Sequence, residues 1–219
     1  MQNAQITLNP PPLVVGILLA AGFSRRFGDA DKLLQPFEQD ATVAEVSARH
    51  LRQVIPFVVA VIRPENSTLH AALSALGLQV VMCDAHEMAD SLKYAIQAAQ
   101  ALFPALSGYV LALADMPLIK PATIFAVAQH IQTGAQIVQP VFQGKRGHPV
   151  GFSRRFTPAL LSVQGDQGAR GVLKQYAEEI TLLECTDHGI LQDIDTPEAL
   201  REARSGSGET GFGRKTIDL

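Results

Sequence analysis

An apolar run, Leu13-Val14-Val15-Gly16-Ile17-Leu18-Leu19, empties into Ala20-Ala21-Gly22-Phe23-Ser24-Arg25-Arg26-Phe27-Gly28, and a lone lysine follows at Lys32. Small side chains let backbone N–H groups approach an anion, while arginine and lysine supply charge from the sides. A buried strand ending in such a loop is laid out to hold phosphate. Neither the glycine-lysine loop of P-loop enzymes nor the three-glycine dinucleotide fingerprint is present, so the loop belongs to another nucleotide-binding class or is no site at all.

Acidic residues supply the complementary chemistry. Asp115 follows the apolar run Tyr109-Val110-Leu111-Ala112-Leu113 and precedes Met116-Pro117, which sets its carboxylate at a strand end. Magnesium takes one or two protein carboxylates together with phosphate oxygens and water, so a second acid is expected. Asp193-Ile194-Asp195-Thr196-Pro197 offers it. In an extended segment Asp193 and Asp195 share a side, whereas a turn into the next helix leaves Asp195 alone facing the site. Taken singly, Asp115 reads equally well as a loop cap and the Asp193/Asp195 pair as a helix-cap cluster. Their company with a basic loop favours the metal.

These residues need elements to position them. Strand-like runs at 13–19, 57–62, 78–82 and 109–113 alternate with helix-like stretches at 42–54, 65–76 and 88–103, the pattern of an α/β domain with a mainly parallel sheet. Pro121 opens a helix running to about 131, strands at 135–141 and 148–152 flank the turn 143–147, and 180–185 reads as an edge strand. Thr196-Pro197-Glu198 is a helix start, a capping hydroxyl followed by proline at the first helical position. Ligands of open α/β sheets gather at the carboxyl ends of strands, where the loops 22–32, 83–91 and 115–117 fall.

The whole chain sets bounds on this reading. Its 219 residues, 47% hydrophobic and 18% charged, suit one domain with one sizeable core. A formal charge of −3 and a pI near 6.1 give no global reason to bind nucleic acid or an anionic membrane. Two cysteines, Cys83 and Cys185, stand far apart without metal-ligand spacing, as in a reduced cytoplasmic protein. No apolar run approaches the roughly 20 residues that span a bilayer. Residues 1–12 read as a loose tail and 205–219, rich in glycine and serine, as a flexible extension, leaving 13–204 as the folded unit.

The motifs taken together resemble the molybdenum cofactor cytidylyltransferase family. They are Leu19-Ala20-Ala21-Gly22 with Ser24, Arg26, Gly28 and Lys32; Asp115-Met116-Pro117; Gly147-His148-Pro149-Val150; Gly165-Asp166-Gln167-Gly168-Ala169-Arg170; and Asp193-Ile194-Asp195-Thr196-Pro197. The similarity spans about 14–203 and implies a three-layer α/β/α nucleotidyltransferase fold of the glycosyltransferase-A-like kind. It implies transfer of CMP from CTP to the phosphate of molybdenum-bearing molybdopterin, with release of pyrophosphate and a requirement for Mg²⁺. In that scheme the backbone of Leu19, Ala20, Ala21 and Gly22 faces the nucleotide. Ser24 and Arg26 bind its outer phosphates, Lys32 approaches the α phosphate, and Ser91 approaches the nucleotide. Arg26, Lys32 and Asp115 are then the catalytic group, Asp115 and Asp195 the metal-holding pair, and Arg146, Gly147, His148 and Arg170 the acceptor side. A transient contact with a recipient molybdoenzyme also follows from the resemblance.

The chain departs from the family pattern in places. The family separates glycine and lysine by two residues, whereas Asp29-Ala30-Asp31 gives three, so a bulge before Lys32 is expected. No glycine stands in 84–88, where relatives carry one. Guanylyl relatives have two glycines at the positions of Ala21 and Gly22; the Ala21 methyl would narrow a base pocket and favour the pyrimidine by about 1–3 kcal/mol. The alternatives are a GTP donor, a sugar or polyol phosphate acceptor, and a non-catalytic protein that delivers the cofactor.

Overall fold

The computed structural model describes residues 13–22, 27, 31–38, 40–84, 87–165 and 168–206. Strand β1 (Leu13–Ala20) runs parallel to β4 (Val58–Ile62) on one side and to β6 (Leu106–Leu113) on the other, and β5 (Gln79–Met82) extends the sheet parallel to β4. Beyond β6 come β9 (Val150–Ser153) and β7 (Ile137–Phe142), each antiparallel to its neighbour, and then β10 (Ile180–Glu184), parallel to β7 at the far edge. A short β8 (Lys145–Arg146) folds back on β7, and β2 (Pro36–Glu38) pairs with β3 (Ala41–Thr42) in a separate ribbon. The expected mixed, mainly parallel sheet is present.

Period-two alternation in β1 builds the layers. Val14, Leu18 and Ala20 belong to a buried cluster with α1 (Val43–Val54), α2 (Ser67–Ala75) and α4 (Pro121–Gln132). Val15 and Ile17 belong to the opposite cluster with α3 (Met88–Leu102), α5 (Thr157–Leu161) and α6 (Arg170–Gln175). A strand buried on both faces carries apolar residues at every position, which is why β1 and β4 read as continuous apolar runs. Each strand–helix–strand passage between parallel strands returns the chain to the same end of the sheet.

Caps fix where the helices begin. Thr42 caps α1 in a reciprocal box with Glu45, so the helix starts one residue later than its pattern. Asn66 caps α2 by accepting from Leu69 N at 3.1 Å. Thr196 Oγ1 accepts from Ala199 N at 3.1 Å at the start of α7 (Pro197–Gly206). That last helix includes Ser205, whose hydroxyl donates to the Arg201 carbonyl. Of the expected tails, 1–12 and all of 205–219 beyond residue 206 lie outside the described residues. No helix among the described residues is long and apolar enough to cross a membrane.

Candidate functional site

The carboxyl ends of β1 and β6 lie side by side, and three main-chain anchors fix the residues that follow β6. Ala114 N donates to Leu19 O at 3.0 Å, the buried Ser47 hydroxyl of α1 donates to Ala114 O at 2.9 Å, and Ile194 N donates to Asp115 O at 2.8 Å. The last of these ties the two acidic segments together, setting Asp195 beside Asp115.

Lys32 completes the cluster. Its ammonium lies 2.7 Å from Asp115 Oδ2 and 2.6 Å from Asp195 Oδ1, with only 8% of the lysine side chain exposed. Asp31 is the N-cap of a single 3₁₀ turn, Lys32–Leu34, its Oδ1 accepting from Leu33 N at 2.9 Å. Its Oδ2 accepts from Asn66 Nδ2 at 2.5 Å, pinning the turn to the start of α2. The ammonium is delivered by a capped turn anchored on the core side of the sheet.

The charges there perturb one another. Burial, the largest influence, draws the Lys32 pKa down, but the Asp115 charge and the hydrogen bonds to Asp115 and Asp195 together outweigh it, and the net shift is upward. Asp193 is raised by burial and then by the neighbouring Asp195 charge. The other carboxylate oxygen of Asp115, Oδ1, is buried without a hydrogen-bond partner. A buried carboxylate oxygen with no donor and two carboxylates close enough to share one cation fit a divalent ion that takes its remaining ligands from phosphate and water. Among the described residues no group of three or more His, Cys, Asp or Glu side chains forms a closed metal cage.

Beside this cluster opens a cavity of about 400 Å³. Leu19 and Leu113 at the strand ends form part of its floor, Arg146, Gly147 and His148 one wall, Met88 and Arg170 another, and Asp193 borders it. Asp193 thus borders the cavity while Asp195 meets the Lys32 ammonium. Arg170 opens α6, and the segment before it is held to the start of α3 by Gly165 N donating to Glu87 Oε2 at 2.8 Å.

Tight backbone contacts hold the His148 wall. Gly147 N donates to Pro140 O and His148 N to Ile190 O at 3.0 Å, and the His148–Pro149 peptide is cis. A Cβ on Gly147 would sit 2.3 Å from Ile190 O, and one on Gly189 would sit 2.2 Å from Leu118 O. Buried Asp187 locks this layer by accepting from Lys120 N at 2.9 Å, Thr123 Oγ1 at 2.7 Å and Gly189 N at 3.0 Å. The His148 imidazole is neutral at physiological pH: burial, then the Arg170 charge, pushes its pKa down to about 4 against the opposing pull of Asp193. Its Nδ1 is buried and has no hydrogen-bond partner.

The fold thus brings Lys32, Asp115 and Asp195 together and sets Leu19, Arg146, Gly147, His148 and Arg170 around one cavity. Ala20 is buried at the end of β1, and the Ala21 methyl belongs to the buried cluster that also contains Cys83 and Ala89, so in this structure it contributes to packing. Gly22 is exposed, and a Cβ there would meet nothing within 4 Å. Ser91 is buried in the first turn of α3 and does not line the cavity. Ser24, Arg25, Arg26, Gly28 and Asp166 lie outside the described residues. Sequence reasoning missed Gln139, a polar residue in an otherwise apolar strand whose amide donates to Gly147 O at 3.5 Å, and it missed Asp187. Gln139 left a signal in that break of pattern; Asp187 left only its local cap of Gly189, because its other partners lie 64 and 67 positions away.

Comparison with known proteins places this geometry in context. The profile of the MobA-like NTP transferase domain matches residues 16–180. The chain is 26% identical over 197 residues to the nicotine blue oxidoreductase of Paenarthrobacter nicotinovorans, covering 86% of this chain and 95% of that protein. It is 28% identical over 195 residues to the purine catabolism protein PucB of Bacillus subtilis, covering 85% and 94%. Rv0371c of Mycobacterium tuberculosis matches in structure with a TM-score of 0.77 at 26% identity, over 90% of this chain and 100% of that one. Its complex with manganese matches with a TM-score of 0.72 at 26% identity, over 88% and 98%. The 4-diphosphocytidyl-2C-methyl-D-erythritol synthase of Anaerococcus prevotii, 12% identical over 90% and 96%, shares the fold with a TM-score of 0.68.

Proposed function

The chain belongs to the family of MobA-like NTP transferase domains and has the fold of glycosyltransferase-A-like nucleotidyltransferases, and from that premise we propose that it moves CMP from CTP to the phosphate of molybdenum-bearing molybdopterin, releasing pyrophosphate. The observation that carries the reading is the Asp115–Lys32–Asp195 cluster set at the strand ends beside a cavity bordered by Arg146, His148 and Arg170.

In this reading an oxygen of the acceptor's terminal phosphate attacks the α phosphorus of CTP in line. The new P–O bond forms as the bond to the β phosphate's bridging oxygen breaks, and pyrophosphate carries away that electron pair. A phosphate dianion is already a nucleophile, so no triad is needed; the protein positions the partners and stabilises charge. Lys32 swings to the α phosphate, where its charge is most useful as negative charge redistributes. Arg146 and Arg170 bind the acceptor phosphate, and neutral His148 offers Nδ1 to the acceptor as a hydrogen-bonding atom. Ser24 and Arg26 take the outer phosphates of the nucleotide.

Asp115 and Asp195 are the residues that would hold Mg²⁺, which would supply charge neutralisation at the phosphates. The orphaned Asp115 Oδ1 supports that assignment, as does the manganese complex of Rv0371c. The choice of CTP over GTP rests on the resemblance of the motifs at 147–150, 165–170 and 193–197 to the cytidylyl branch, since the Ala21 methyl packs in the core. The test is a pyrophosphate-release assay with CTP or GTP, each with and without the phosphorylated pterin. Release only with CTP and the pterin together is the expected result. Release with GTP would change the donor, and release with a sugar phosphate in place of the pterin would change the acceptor.

A further inference from the structure

The Lys32 ammonium stands where a cation bridging Asp115 and Asp195 would stand, at 2.7 and 2.6 Å from one oxygen of each. Two carboxylates brought this close and partly removed from water repel one another, and each loses hydration that something must replace. The chain supplies that compensation from within itself. Lysine is suited to this, because its charge is compact and a flexible four-carbon stem lets the head move while the backbone stays fixed. The backbone is fixed here, because the turn at Lys32 is capped by Asp31 and tied to Asn66. Side-chain rotation alone therefore empties the position between the carboxylates.

We infer that Lys32 is a tethered counter-ion that keeps divalent metal out of the Asp115–Asp195 pair until a nucleotide draws it away. The inference rests on the reading of those two carboxylates as the metal-holding pair. A metal ion arriving alone must displace the ammonium and leave it buried without its carboxylate partners. A triphosphate offers the ammonium new anionic partners, so metal and nucleotide bind as a coupled pair, each raising the other's affinity by the same factor. The device prevents the protein from holding a metal ion without substrate, and the cationic head released from the carboxylates becomes available to the phosphates.

The test is Mn²⁺ binding to the intact protein without nucleotide, read by isothermal titration calorimetry and by loss of the free-ion paramagnetic resonance signal. The wild type is expected to bind Mn²⁺ weakly. Lys32→Met should tighten binding about tenfold or more, the range typical of coupled sites. Lys32→Gln, which keeps a donor for the carboxylates and so protects the fold, should do the same; Lys32→Arg, which keeps the charge, should remain weak. Circular dichroism verifies that each variant is folded. If neutral variants bind Mn²⁺ no more tightly than the wild type, or if Lys32→Arg tightens it equally, the inference is overturned. Adding Asp115→Asn to Lys32→Met should abolish the gain. If the gain persists, the ion sits elsewhere and the metal-holding assignment fails with the inference. If the gain never appears while Asp115→Asn alone abolishes metal-dependent turnover, only the counter-ion idea is lost.

Discussion

The backbone N–H of Ile194 donates to the carbonyl oxygen of Asp115 at 2.8 Å, pairing main chain to main chain the two segments whose carboxylates share the Lys32 ammonium. Asp195 is thus placed by this backbone bond as well as by its ion pair with Lys32. Removing one carboxylate should leave the other in position, so effects on chemistry and effects on folding can be separated.

Asp115→Asn should therefore lower metal-dependent nucleotidyl transfer by about 100-fold or more, the scale expected when one preorganised electrostatic group is lost. Circular dichroism should remain that of the wild type, because the Ile194 and Ala114 backbone bonds do not involve the carboxylate. Chelation of divalent ions should reduce wild-type turnover similarly, and restoring Mg²⁺ or Mn²⁺ should recover it. Turnover unaffected by the substitution would remove Asp115 from the mechanism.

His148 sets a pH dependence of known sign. Its pKa is about 4 in the folded protein against an ordinary 6.5, so between those values the unfolded chain binds the extra proton and stability falls as pH falls. Urea unfolding between pH 7 and 4.5 should show this loss, and His148→Asn should reduce its slope by up to roughly 1.4 kcal/mol per pH unit. Nuclear magnetic resonance titration of the imidazole gives the value directly. Between pH 6 and 8 the kcat/KM profile should contain no inflection that His148→Asn removes.

Gly147→Ala pushes a methyl into the Ile190 carbonyl, and Gly189→Ala pushes one into the Leu118 carbonyl. Backbone must move in both cases, at a cost of about 1–3 kcal/mol. Because the displaced layer carries His148, KM for the acceptor should rise several-fold with little change in KM for the nucleotide. Steady-state kinetics with each substrate varied in turn checks this split.

Asp187 tests the support behind that wall. Asp187→Ala strands a buried hydroxyl and two backbone N–H groups at Thr123, Lys120 and Gly189. The loss should be about 2–4 kcal/mol, a fall in Tm of roughly 5–15 °C. Asp187→Asn keeps an acceptor oxygen and should recover part of it. Differential scanning calorimetry measures both.

Local pattern was enough for the layers and for the strand ends. The apolar runs at 13–19, 57–62 and 109–113, the Thr196 cap and Pro121 each act through neighbours one to four positions away, so a single stretch of chain displays them. The same logic made Asp115 legible, since an acid ending a buried apolar strand must emerge at the sheet edge. The residues paired in space were not legible. Lys32 meets Asp115 across 83 positions and Asp195 across 163, and Asp187 reaches Thr123 across 64. No local signal records such partners, because they are set by which strands lie adjacent and by the register in which they pair. The chain by itself determined a mainly parallel α/β sheet and the kinds of residue at its edge. The tertiary structure alone decided that the lysine would rest on the two carboxylates, that Asp193 would border the cavity, and that burial beside Arg170 would leave His148 neutral.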